Sequence, residues 1–232
     1  MKNRIISFLW FFLMLLPLTV TAQKVNPMAY YVDDEMKAQV SSNISNAQAP
    51  LEVTFKANPT NIGDHILSYE WHFRKKTNTD YEELFVRYEE ETEYTFRESG
   101  TYSILLKTKL DNQETGLEDQ EIVITIVESK LEFPNAFSPN GDGINDTFKA
   151  KEGYKSIVKF KAIILNRWGQ KLYEWNNPAG EWDGKFNGKP VKDGVYYLYV
   201  NAKGADGAVY EFRKDINLLR GFTDGGSSTS TK

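Results

Sequence analysis

The sequence holds 232 residues with no cysteine, a formal net charge of −4 and 14% aromatic side chains. The missing cysteine excludes disulfide stapling and a thiol nucleophile, so stability must come from ordinary apolar cores. The mild acidity argues against nucleic acid as a partner, which calls for a basic patch.

Lys2 and Arg4 precede an almost wholly apolar run from Ile5 to Leu18, and Thr19-Val20-Thr21-Ala22 follows with small residues. This order predicts a secretory signal peptide over residues 1–22, cut after Ala22. The run is shorter than the ~20 residues of a spanning helix, and no later run is long enough, so no membrane span is expected after cleavage. Gln23 to Pro50 is polar and irregular. It reads as a lead segment or linker, with a short helix from Asp33 to Val40 capped by Asp33.

From Leu51 the apolar period becomes two. Leu51, Val53, Phe55 and Ala57 alternate with polar neighbours, as do Leu67, Tyr69, Trp71 and Phe73. Both are half-buried strands, and the central Trp71 is placed as a core plug. Further strands are expected over 84–87, 92–96, 101–108 and 122–126, with turns at Asn58 to Gly63, Glu98-Ser99-Gly100 and Asp111 to Thr115. Residues 51–128 therefore read as a β-sandwich of about seven short strands.

Glu128-Ser129-Lys130 forms a boundary, and a dense loop follows: Pro139-Asn140-Gly141-Asp142-Gly143-Ile144-Asn145-Asp146, anchored by Phe133, Phe137 and Phe148. Val158, Phe160, Ala162 and Ile164 then alternate, and Asn166-Arg167-Trp168-Gly169 turns the chain into a strand over 171–175. Trp182-Asp183-Gly184, Asn187-Gly188 and Asp193-Gly194 are turn signals. Strands over 195–201 and 208–219 close a second all-β series, residues 131–220. The tail from Gly221 to Lys232 is rich in Gly, Ser and Thr and is expected to be disordered. Gly100-Thr101-Tyr102 and Gly194-Val195-Tyr196 share a layout, a glycine-ended turn feeding a strand whose first inward residue is Tyr. Such a Tyr can fill core volume and still place its hydroxyl on loop backbone. The fold class expected is all-β, two tandem immunoglobulin-like β-sandwiches after a cleaved signal peptide.

Tyr69-Glu70-Trp71-His72-Phe73, followed by Tyr94-Thr95-Phe96 and Gly100-Thr101-Tyr102, resembles the PKD family of immunoglobulin-like modules. Arg74-Lys75-Lys76 stands where many members carry Gly-Asp-Gly, so a function tied to that loop does not transfer. The second half carries four motifs in register: Phe133 to Asp146, Asn166-Arg167-Trp168-Gly169, Trp182-Asp183-Gly184 and Asp193-Gly194-Val195-Tyr196-Tyr197. In this order they resemble the gliding-motility-associated C-terminal domain, the type B sorting domain of the type IX secretion system. The resemblance implies export through the periplasm to the outer-membrane surface or the medium. It makes the type IX translocon and its associated outer-membrane proteins the partners. The motif positions it carries over are Pro139, Asn140, Gly141, Asp142, Gly143, Asn145, Asp146, Asn166, Trp168, Gly169, Trp182, Asp183, Gly184, Gly194 and Tyr196.

The oxygen donors Asn140, Asp142, Asn145 and Asp146, crowded by glycines, leave two readings open. One is a calcium site, since Ca²⁺ takes hard oxygen ligands; an EF-hand register fails, because Lys149 falls at the twelfth position where a glutamate is needed. The other is a tight turn held by the loop's own N–H groups. No catalytic residue is expected: His65 and His72 are the only histidines, and no nucleophile is marked beside either. Trp168 and Trp182 are expected to close the sandwich core, whereas Trp175 is the candidate for stacking on a surface glycan. The function expected is a non-enzymatic exported protein with a sorting domain and an immunoglobulin-like module for spacing or adhesion. An accessory part of the outer-membrane secretion or gliding machinery and a carbohydrate-binding surface protein are the alternatives.

Overall fold

A computed structural model describes residues 22–111 and 116–221. The expected signal peptide, the Asp111–Thr115 turn and the tail fall wholly or largely outside them. Among the described residues there is no helix, and every regular element is a strand.

The first unit runs through β1 (Lys24–Val25), β2 (Met28–Val32), β3 (Ala38–Ser41), β4 (Asn43–Ala47), β5 (Leu51–Lys56), β6 (Pro59–Thr60), β7 (Leu67–Lys76), β8 (Tyr81–Arg87), β9 (Glu91–Phe96), β10 (Gly100–Leu110) and β11 (Gln120–Ile126). They form two facing sheets, of order β3-β2-β5-β9 and β4-β11-β10-β7-β8, with a small β1-β6 ribbon beside them. The inward residues of both sheets meet in one core, where Trp71, Phe55, Phe73, Phe96, Ile104 and Ile124 are fully buried. Alternation along each strand causes this, because successive side chains point to opposite faces. The Trp71 indole N–H donates to the Glu89 carbonyl at 2.9 Å, so its one polar group is satisfied.

The segment from Gln23 to Pro50 corrects the expectation of a linker with a helix. It supplies β1 to β4 and so contributes to both sheets and to the ribbon. Asp33 does not cap a helix; its Oδ1 accepts the N–H groups of Glu35 and Lys37 and closes the β2–β3 hairpin. These strands are short, and β2 and β4 each bury a single residue, Ala29 and Ile44. One inward residue makes no visible period, so only the partner strands define them.

The second unit holds β12 (Ala136–Phe137), β13 (Phe148–Lys149), β14 (Ile157–Leu165), β15 (Lys171–Trp175), β16 (Glu181–Trp182), β17 (Lys185–Phe186), β18 (Lys189–Pro190), β19 (Gly194–Gly204) and β20 (Val209–Leu218). One sheet has the order β12-β20-β19-β14-β15. Short pairs, β13 with β16 and β17 with β18, lie outside it. A separate core forms around Phe133, Phe148, Ile164, Trp182, Leu198 and Ile216.

The strand register gives this unit two ends. Ile157 is level with Gly204 and Lys203 with Val209 at one end; Leu165 is level with Tyr197 and Gly194 with Leu218 at the other. The first end docks on the first sandwich. Ala205 is buried within the first core cluster, and Val158 packs against it. The Ala205 carbonyl accepts the Ser99 N–H at 3.0 Å, and its N–H donates to the Ser156 carbonyl at 2.9 Å. Ser129, in the boundary segment, donates its N–H and its hydroxyl to Asp206 at 3.1 and 2.7 Å.

Gly204 is required at this junction. A Cβ there would lie 2.0 Å from Ser129 Oγ and 2.5 Å from Asp206 Oδ1. Gly204→Val is therefore expected to break the Ser129–Asp206 contact at a cost of about 1–3 kcal/mol. Small-angle scattering should then show a wider spread of interdomain distances, with strand content kept in circular dichroism; an unchanged scattering curve would refute this.

Candidate functional site: the far end of the second sandwich

The opposite end of the second sandwich gathers all four motif stretches. The dense loop begins where β12 runs parallel to the end of β20, with Phe137 level with Leu218. The Ser138 hydroxyl donates to the Leu219 carbonyl at 2.7 Å, and the Ser138 N–H to the Asn145 carbonyl at 2.8 Å, which closes the loop at its base.

Inside the loop the side-chain oxygens accept its own N–H groups. Asp146 takes Gly141 N–H at 2.7 Å on one oxygen and Gly143 N–H at 2.8 Å on the other. Asn140 Oδ1 accepts from Asp142 N–H, Asp142 Oδ1 from Ile144 N–H, and Asp142 Oδ2 from the Asn140 amide. The two N–H bonds from Gly141 and Gly143 hold the Asp146 carboxyl below its ordinary range. Asn145 has a left-handed backbone, with φ of 53°, as do Gly141 and Gly143 at 85°. Among the described residues no group of three or more His, Cys, Asp or Glu side chains gathers as a metal-ligand set.

Trp182 is the floor of this end. It is fully buried, pairs through β16 with Phe148, and packs its ring at a tilt against Phe137 and edge-on against Tyr196, with centroids 5.3 Å apart in each case. Its indole N–H donates to the Lys185 carbonyl at 2.9 Å. Asp183 Oδ1 accepts the Lys185 N–H and so shapes the turn. Gly184, with φ of +72°, is packed so closely that a Cβ would meet Pro139 Cγ at 3.1 Å and Leu218 Cδ1 at 3.2 Å.

Tyr196 completes the core, and its hydroxyl donates to the Lys192 carbonyl four residues back at 2.6 Å. Tyr102 does the same in the first sandwich, to Glu98 at 2.9 Å. Burial pushes the pKa of both tyrosines up, because the charged phenolate is poorly solvated there.

A residue that no motif marked binds these pieces together. Arg220 donates to the Val191 carbonyl at 2.6 Å, to Asp193 Oδ1 at 2.7 Å and to the Gly184 carbonyl at 3.3 Å, while its own N–H reaches Asp193 Oδ2 at 2.8 Å. Nothing local in the sequence marks it, because each of its partners is distant along the chain.

The three tryptophans divide differently from the expectation. Trp175 is not a sugar-stacking face: it is 6% exposed, opposite Ala162 on the neighbouring strand, and packed against Phe133, Phe160 and Tyr173. Its place on the inward phase of β15 is the reason. Trp168, expected in the core beside Trp182, is 75% exposed on the β14–β15 turn. Asn166 Oδ1 accepts the N–H groups of Trp168 and Gln170, both at 3.0 Å, so the turn holds without the indole.

Residues 131–212 match the CHU_C type IX secretion signal domain. The second sandwich is thus a secretion signal domain, and such a domain implies export to the outer-membrane surface or the extracellular medium. No curated protein matches the chain. Among solved structures, the chain is similar to a Bacteroides ovatus SGBP-B of a mixed-linkage glucan utilization locus, in complex with a mixed-linkage heptasaccharide. The identity is 13% and the TM-score 0.24, over 76% of this chain and 42% of that one. It is also similar to a protocadherin GammaB4 extracellular domain, at 13% identity and a TM-score of 0.20, over 83% of this chain and 32% of that one. The chain spans less than half the length of either.

Two outcomes follow for the signal domain. Gly184→Ala should destabilise it by about 1–3 kcal/mol, through a left-handed backbone and a crowded Cβ, read as a lower midpoint in urea. The carboxylate of Asp146 should stabilise the fold above the ordinary aspartate range and lose that effect as pH falls through its lowered folded value. Asp146→Asn should therefore flatten the fall of melting temperature below pH 4, whereas EDTA at neutral pH should leave the melting temperature of the native chain unchanged.

Proposed function

We propose that the second sandwich is the sorting signal by which this chain leaves the cell, and that the first is a non-enzymatic module for spacing or adhesion at the surface. The observation that carries the reading is convergence. Four motif stretches, separated in sequence, meet at the end of the signal domain that points away from the first sandwich. A recognition face there stays open while the other end holds its passenger. The first sandwich buries Phe55, Trp71, Phe73, Phe96 and Tyr102 in its core, and its two histidines are occupied by carboxylates: His65 by Asp111 at 3.1 Å and His72 by Glu83 at 2.6 Å. Such an arrangement suits a scaffold better than a reaction centre, which needs a base held against a nucleophile.

The test is export in a host with a working type IX translocon and in one lacking it. The native chain should reach the surface or medium only in the first host, and a chain ending at Lys130 should reach it in neither. Equal export of the native chain from both hosts would refute the sorting reading.

A further inference from the structure

One aromatic of the motif stretches does no work for the fold. The Trp168 ring stands 75% exposed, with the Arg167 guanidinium 4.3 Å from its centroid. Exposing an indole leaves a large apolar area in water, and such residues are enriched as anchors of interfaces. Beside it lies a groove of about 370 Å³, between the β14–β15 turn and the segment Val191 to Tyr196. Leu172, Phe186, Val191 and Val195 give it an apolar lining, and Val195 is itself 46% exposed.

The charge at this groove has one sign. Its one lining carboxylate, Asp193, is neutralised by Arg220 at 2.7 Å. Arg167 and Lys192 line it too, and neither has an ion-pair partner among the described residues. Two uncompensated cations flank an aliphatic floor and an exposed indole.

We propose that this groove is the face on which the secretion machinery docks, and that the docked element is an acidic polypeptide segment bearing an apolar side chain. The inference rests on the sorting function proposed above. An apolar side chain covers Leu172, Phe186 and Val195, while carboxylates pair with Arg167 and Lys192. A neutral glycan would leave both cations unused. The groove also lies at the end remote from the first sandwich, where the passenger does not obstruct approach.

The experiment uses the full chain in hosts with and without the translocon. Trp168→Ala and the double charge reversal Arg167→Glu with Lys192→Glu are each compared with the native chain for the fraction outside the outer membrane. Both variants should export about tenfold less, as loss of an interface anchor gives, with melting temperatures unchanged because all three side chains are exposed. If Trp168→Ala lowers the melting temperature, the double reversal, which keeps the indole, decides alone. Native-level export of the double reversal would overturn the proposal while leaving the sorting reading intact. Translocon-independent export of the native chain would instead remove the sorting reading beneath it. Normal export combined with lost retention on surface polysaccharide would assign the groove to a glycan and overturn the proposal.

Discussion

The far end of the signal domain depends on the burial of Trp182. Its ring supports Phe137 on one side and Tyr196 on another, and so ties the dense loop to the start of β19. Burying an aromatic of this size supplies a few kcal/mol of apolar transfer energy, about 25 cal/mol per Å² removed from water. That contribution orders three loops that would otherwise share few contacts. Gly184 is the corollary. With the indole pinned, the next turn must pass within reach of Pro139 and Leu218, and a side chain would not fit there.

Above this apolar floor the polar groups of the loops satisfy one another. The Asx contacts of Asn140, Asp142 and Asp146, and the four-way reach of Arg220, account for N–H and C=O groups that no strand could pair. The result is an internally hydrogen-bonded loop cluster on a sheet end, the arrangement by which folds commonly present recognition surfaces. Trp168 is the exception that gives the surface its character: its N–H is held by Asn166 within its own turn, and its side chain faces outward.

The two sandwiches repeat one device and differ at their ends. Each has a tyrosine hydroxyl bonded to a carbonyl four residues earlier, after a glycine with positive φ, 134° at Gly100 and 149° at Gly194. The hydroxyl fixes the approach of the preceding turn to the core. In the first sandwich this turn carries Ser99, which bonds to Ala205 across the junction. In the second the same turn carries Asp193, which holds Arg220. One structural solution thus serves the junction between the sandwiches in one domain and loop assembly in the other.

Much of this was legible in the residues alone. Period-two runs such as Leu51 to Ala57 and Val158 to Ile164 specify strands because alternate side chains must face a core, and glycine-ended turns punctuate them. The order of the motifs pointed to a secretion signal domain, which the match over residues 131–212 bears out. Three things were decided only by tertiary structure. The segment 23–50 became strands because β5 and β11 offered edges to pair with, a long-range fact with no local period. Trp175 went inward and Trp168 outward because strand phase and turn position, not residue type, set which side a ring faces. Arg220 and Ala205 acquired their roles because folding brought them to partners far away in sequence, a proximity that composition and spacing do not encode.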